Sequence, residues 1–330
     1  MCRPSLSPSR AVRSALMALT LVLPIHVSVA AADSPPVTLT VFGAGTLAYP
    51  FKQIDDAFMH EHPNVTIQAQ FGGSVKMVKQ VTELHQLADV VAVADYNVIP
   101  KYLFSAPDGT KYTDWYVGFT TNAITFVYTG KSRFADRISP QNWYQLLAQH
   151  GVQIGRSNPN TDPSGYQTLQ MLSLAQRYYK KPGLAAAVLA NAPKTNMRDT
   201  ETGLIAALES GQIDYLAMYR SDARQHHFKF LALPPEIDLS DAKFSPFYAQ
   251  TSVKTANGTL TANPIVYAVT IPNNAPHREW AVKYVRFLLG AAGQKAMAAS
   301  GFGALNPAFA SDVNKLPADL KSMVTAWPKR

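Results

Sequence analysis

Val41-Phe-Gly-Ala-Gly-Thr-Leu47 is the stretch from which the fold of this chain is read. It closes an apolar, β-branched run, Val37-Thr-Leu-Thr-Val-Phe42, with the length and composition of a buried strand. Gly43 to Thr46 turn the chain, and Phe51, Ile54, Ala57 and Phe58 follow at helical spacing. Pro50 then belongs in the first turn of that helix. A strand, a glycine-rich turn and a helix N-terminus bring backbone N–H groups to one point, where the helix dipole adds positive potential. Such a turn can hold an anion without lysine or arginine. A single turn of this kind is equally well read as an ordinary strand-to-helix loop, so its recurrence matters.

The device recurs. Asn64-Val-Thr-Ile-Gln-Ala-Gln70 alternates like a half-buried strand, Gly72-Gly73-Ser74 turns it, and Met77, Val78, Val81, Leu84 and Ala88 mark one helix face. Ser74 sits where an N-cap belongs, so its hydroxyl either caps the helix or donates to a ligand oxygen. Ala88-Asp-Val-Val-Ala-Val-Ala94 reads as a buried strand. Tyr116 to Tyr128 reads as two strand-like halves around Thr120-Thr-Asn122, a segment suited to pass from one lobe to another. Val152-Gln-Ile-Gly155 is a short strand that runs into the turn cluster Ser157-Asn-Pro-Asn-Thr-Asp-Pro-Ser-Gly-Tyr166. The next helix carries Met171, Leu174, Ala175 and Tyr178 on one face, with Pro163 at its first position and Asp162 as N-cap.

Thr200-Glu201-Thr202 precedes a short helix with Leu204, Ile205 and Leu208, closed by Gly211. An acid there ordinarily stabilises the helix dipole. Strand Tyr215–Tyr219 ends in Arg220-Ser-Asp-Ala223. Further on come a strand within 264–272, a helix with Ala281, Tyr284, Val285 and Leu288, and a terminal helix within 312–330. Alternating β and α elements predict parallel sheets flanked by helices, with ligands at the carboxyl ends of the strands.

Residues 1–31 have the pattern of a secretory signal peptide: Arg3, Arg10 and Arg13, then a mostly apolar run from Ala15 to Val29, then Ala30-Ala31-Ala32. Its removal takes away the only cysteine, Cys2, and lowers the net charge from +8 to +5. With no Lys/Arg-rich run, that surplus does not point to nucleic acid. A mature chain of some 300 residues suits two lobes rather than one core. There is no Gly-x-Ser-x-Gly elbow and no His-Glu-x-x-His pair, and His226-His227 reads as a surface pair. The chain is therefore not read as an enzyme, although Asp162 and Glu201 as a hydrolase acid/base pair are formally available.

The combination of Gly43-Ala-Gly-Thr46, Phe71-Gly-Gly-Ser-Val75, Ala88 to Tyr96, Ser157 to Tyr166, Glu201, Tyr215 to Ala223 and Gly301-Phe302 resembles the periplasmic solute-binding proteins of ABC transporters. It is most similar to their tungstate/molybdate-binding branch, over most of residues 37–305. The resemblance implies an α/β, two-lobed type II periplasmic binding protein fold that closes on its ligand like a clamshell. Lobe I would comprise 37–122 and 245–330, and lobe II 123–244. The implied ligand residues are Gly45, Thr46, Ser74, Asp162, Pro163, Ser164, Glu201 and Tyr219. Thr46 stands where relatives usually have serine, which keeps the hydroxyl, and Ser164 where many have cysteine.

Asp162 and Glu201 would be carboxylate ligands to the molybdenum or tungsten of the oxyanion, making it six-coordinate. Hard oxygen ligands suit such a metal, while the same acids would repel sulfate or phosphate. The implied partner is the membrane permease of an ABC importer. No cofactor beyond the bound ligand is implied, and the expected state is a periplasmic monomer. Binding of another, sulfate-like oxyanion or of ferric ion is the alternative, the latter weakened by the lack of paired tyrosines beside a histidine.

Overall fold

Strand β1 (Val37–Ala44) pairs in parallel with β2 (Val65–Gly72) on one side and β3 (Val90–Val93) on the other. The chain is seen here in a computed structural model that describes residues 35–326, so the signal-peptide reading and Cys2 lie outside the described residues. Parallel pairing sets Ala44 beside Gly72. The two glycine turns therefore leave the same end of the sheet side by side.

The first sheet continues through β12 (Val266–Thr270), β4 (Val117–Thr121), β13 (Gly303–Ala310) and β14 (Val324–Ala326), in the order β14-β13-β4-β12-β3-β1-β2. The second sheet contains β5 (Ile124–Tyr128), β6 (Ile154–Ser157), β7 (Met197–Arg198), β8 (Tyr215–Tyr219) and β9 (Lys229–Phe230), in the order β7-β6-β8-β5-β9. Only Asn122 and Ala123 separate β4 in one sheet from β5 in the other, so the interrupted apolar segment does pass between them. A hairpin of β10 (Ser252–Thr255) and β11 (Gly258–Thr261) packs against helix Pro163–Tyr178, where Gln170 Nε2 donates to Leu260 O at 3.0 Å.

The sheets are mixed rather than parallel throughout. β12 runs antiparallel to β3 and β4, β13 to β4, and β5 to β8 and β9. β4 leads out into the second sheet and β12 and β13 enter after the return from it, so no βαβ unit fixes their direction. Helix Ala48–Glu61 buries Phe51, Ile54 and Phe58 at helical spacing, and the rings of Phe51 and Phe58 meet Tyr284 edge-on. Each such ring removed from water contributes roughly 1.5–3 kcal/mol. Helix Pro163–Tyr178 buries Met171, Leu174 and Ala175 against the second sheet.

Three expectations fail at element ends. Leu84 is 66% exposed, because its helix is Ser74–Thr82 and stops short of it. Tyr178, the last helical residue before the chain turns away, is 41% exposed. The expected terminal helix shrinks to Ala318–Lys321 behind Pro317, and β14 follows it as an edge strand. His226 and His227 are exposed, as read.

Candidate ligand site

Loops from the carboxyl ends of β6, β7 and β8 face the two glycine turns of the first sheet. β6 is parallel to both β7 and β8, with Ser157 beside Arg198 and Gly155 beside Leu216. The loop to Asp162, the loop to Glu201 and the segment after Tyr219 therefore emerge together. The turns fit them closely. A Cβ on Gly73 would lie 2.4 Å from Thr161 O and 3.2 Å from Asp199 O, and one on Gly45 would lie 3.8 Å from the Thr200 and Thr202 side chains.

Asp162 is the N-cap of helix Pro163–Tyr178. Its Oδ1 accepts from the Ser164 backbone N–H at 3.0 Å, and Pro163 begins the helix without a donor to lose. The capping reading is correct, but it leaves the second carboxylate oxygen of Asp162 unassigned. Ser164 Oγ donates to Glu201 Oε2 at 2.8 Å and also meets Ser157 Oγ. Glu201 opens a 3₁₀ turn, Glu201–Leu204, which leads into helix Ile205–Ser210 and is closed by Gly211 in the left-handed conformation. The other Glu201 oxygen, Oε1, is buried and has no hydrogen-bond partner.

Asp162, Ser164, Glu201 and Tyr219 are all buried. Burial first, and then the Glu201 charge, push the Asp162 carboxyl well above the usual carboxylate range. Burial also raises Glu201, while its hydrogen bonds to Asp162 and Ser164 pull it back. Burial and mutual repulsion therefore both disfavour a state in which the two acids carry full charge together. Among the described residues, no lysine or arginine is one of the groups acting on either. Asp162 and Glu201 in turn raise the Tyr219 hydroxyl, after burial and Tyr267, so it remains a proton donor. Tyr219 Oη donates to Gln167 Oε1 at 2.6 Å.

On the first-sheet side, Thr46 Oγ1 lies 2.8 Å from Tyr267 Oη, and the Tyr267 ring stands 5.8 Å from that of Tyr219. Ser74 departs from the expected pattern. The N-cap position falls to Gly73, and no side chain caps helix Ser74–Thr82. The Ser74 hydroxyl, fully buried, instead accepts from Ala94 N at 3.0 Å, which leaves its O–H free to donate.

Tyr267, Asn122 and Asp222 belong to the site but were not identified from sequence. Asn122 Nδ2 donates to Ser221 Oγ at 2.8 Å and to Tyr267 Oη at 3.2 Å, tying both sheets at the crossing. Its position between two strand halves was the available signal. Asp222 is 2% exposed and its Oδ2 has no hydrogen-bond partner. Burial and the Glu201 charge push it well above the carboxylate range. Its position just past a strand's carboxyl end was the signal there. Among the described residues, no group of three His, Cys, Asp or Glu is arranged to hold a bare metal ion.

Residues 39–303 match the family model of bacterial extracellular solute-binding proteins. The chain belongs to that family. A solute-binding protein of Petrotoga mobilis is 37% identical to it over 292 residues, 87% of this chain and 89% of that one. The molybdate/tungstate-binding protein WtpA of Thermococcus kodakarensis is 37% identical over 315 residues, 87% of each chain. The periplasmic molybdate-binding protein of Azotobacter vinelandii superposes with a TM-score of 0.59 at 16% identity, over 81% of this chain and 99% of that one. This likeness gives the solute-binding protein its fold class: α/β, two-lobed, of the type II periplasmic binding proteins. The family is one of transport, not of enzymes. Among the described residues, no helix of the solute-binding protein is long and apolar enough to cross a membrane.

Proposed function

We propose that this solute-binding protein captures molybdate or tungstate in the periplasm, after export by its signal peptide, and delivers it as a monomer to the membrane permease of an ABC importer. The observation that carries the reading is the pairing of two buried acids with two glycine–hydroxyl turns and, among the described residues, no lysine or arginine acting on them. Such a site is costly for any anion that cannot accept electron pairs. Glu201 Oε1, buried and unpartnered, is a donor atom that lacks its acceptor. A molybdenum or tungsten centre accepts it, together with an Asp162 oxygen, and becomes six-coordinate. Any proton that burial keeps on either acid leaves as they bind. Gly45, Thr46, Ser74, Pro163, Ser164 and Tyr219 then surround the four oxo groups with N–H and O–H donors or close the space around them. Sulfate has no such expansion open to it. The identity to WtpA over 87% of both chains supports the same ligand class.

Lobe I is assigned to 37–122 and 245–330 and lobe II to 123–244, with the hairpin of β10 and β11 reaching onto the second. The test is calorimetric titration of wild type and Glu201→Gln with molybdate, tungstate and sulfate. Wild type is expected to bind the first two and not the third. Glu201→Gln keeps the size and removes the charge, so it is expected to lose tungstate affinity by at least 1–3 kcal/mol, on the order of a lost charged contact, and to admit sulfate. Equal wild-type affinity for sulfate and tungstate would move the reading to a sulfate-type receptor. Unchanged affinity in Glu201→Gln would leave Glu201 as a helix-start acid.

A further inference from the structure

Away from the ligand residues, a second set of polar contacts joins the two lobes. Asp95 follows β3 in lobe I and is buried. Its Oδ1 accepts from the Asn97 backbone N–H and from Asn97 Nδ2, both at 2.9 Å, which fixes the turn before helix Val98–Tyr102. Its Oδ2 accepts from Tyr166 Oη at 2.7 Å. Tyr166 belongs to the other lobe, one helical turn past Asp162 and two residues past Ser164, on the helix that both begin. One wall further out, Lys101 Nζ donates to Asn257 O in the β10–β11 turn, the part of 245–330 that packs on the lobe II helix Pro163–Tyr178 and moves with it. Asn257 Nδ2 donates to Asn160 O at 2.8 Å, and Ala256 N to Asn160 Oδ1 at 2.8 Å, so this contact is tied to the Asp162 loop as well. A cavity of about 20 Å³ lies between these groups, bounded by Val75, Tyr102 and Pro159 among others. It has room for about one water, and the buried Tyr102 hydroxyl beside it has no protein partner.

We infer that Tyr166 and Asp95 form a closure latch, seconded by Lys101 and Asn257, that positions the Asp162 helix and sets how long the closed cleft holds its ligand. The inference rests on the oxyanion reading above. The contact spans the lobes and touches none of the proposed ligand residues, so it exists only when the lobes meet. Opening must break it, while an incoming ligand meets an open cleft and does not need it. Its strength therefore appears in the rate of release and not in the rate of capture. Burial raises the Tyr166 hydroxyl well above its ordinary value, which keeps it a donor across the physiological range.

The experiment is stopped-flow tungstate binding and release, followed by intrinsic tryptophan fluorescence, on the full mature chain. Tyr166→Phe removes one hydroxyl and leaves Asp95 Oδ2 without its donor. Release is expected to quicken by about tenfold or more, with the association rate within about twofold of wild type. Lys101→Met, at an exposed residue, is expected to move release the same way by about threefold and keeps the test open should Tyr166→Phe fail to fold. Wild-type release rates in folded variants would overturn the latch while leaving the ligand assignment intact. So would a loss of affinity carried wholly by slower association, which would make Tyr166 a support of its own helix only. A wild-type protein that binds no molybdate or tungstate would overturn both.

Discussion

Single residues in this protein do one thing by sequence and another by position. Asp162 satisfies every rule for a helix N-cap, yet its carboxyl is pushed up by burial and by the charge of Glu201, 39 positions along the chain, because the two loops leave adjacent strands. Asp55 shows the same principle away from the site. It is buried on helix Ala48–Glu61, where its Oδ1 accepts from Tyr284 Oη at 2.6 Å, and burial pushes its carboxyl up to about 6. The folded chain thus holds a proton there that the unfolded chain has released. Stability from this group is complete below the unfolded value near 4 and is lost as pH rises through about 6. At pH 7.5 the loss amounts to about 3 kcal/mol at most. Asp55→Asn keeps the acceptor for Tyr284 and cannot ionise. It is expected to be more stable than wild type at pH 7.5 and to lose that advantage by pH 4, measured by urea unfolding at each pH. A constant difference between the two proteins across that range would mean that Asp55 does not titrate on folding.

At the scale of elements, the glycine turns were legible because strand, turn and helix each leave a separate mark within a few residues. Their side-by-side placement was not, since nothing local states that β1 and β2 pair in parallel with Ala44 beside Gly72. Tyr267 was hidden for the related reason that, within Ile265-Val-Tyr-Ala-Val, it looks like any core aromatic. Only the placement of β12 between β3 and β4 brings its hydroxyl to Thr46. β13 escaped notice because Asn306-Pro307 breaks its alternation and its pairing with β4 shifts there. The turn at Gly73 supplies a prediction at this scale. Gly73 has φ −58° and ψ 129°, an ordinary conformation for any residue, so Ala would fold there without strain. Its Cβ would nonetheless fall 2.4 Å from the Thr161 carbonyl, which belongs to the facing loop and is backbone that cannot swing aside. Gly73→Ala is therefore expected to keep its unfolding midpoint without ligand and to lose tungstate affinity by about tenfold or more, as closure is propped open. Calorimetry paired with a thermal melt checks both halves, and wild-type affinity would show that the turn and the 158–162 loop need not meet.

At the scale of the molecule, the charge of the site decides which state is stable when. Asp162, Glu201 and Asp222 lie buried together, and among the described residues no cation acts on them and two oxygens, Glu201 Oε1 and Asp222 Oδ2, have no hydrogen-bond partner. Buried carboxyls in that condition cost free energy, and opening the lobes lets water solvate them. Latch contacts such as Tyr166 to Asp95 act the other way, in favour of closure. On the proposed reading, a bound metal centre would change the sum by accepting carboxylate electron pairs, while its oxo groups would meet the donors of the turns. Such a ligand would have differential affinity for the closed state, which is the only way it can drive closure. The proposed ligand residues come from segments 45–74 and 162–219, on opposite sheets, so closure on them would move one lobe against the other as a body. Small-angle scattering is expected to give a larger radius of gyration without ligand than with saturating tungstate. Saturating sulfate should leave the curve where it was, since it relieves neither orphan oxygen. Identical curves with and without tungstate, in protein shown by calorimetry to bind it, would mean that the cleft is preformed and that the acids are held together by something other than the ligand.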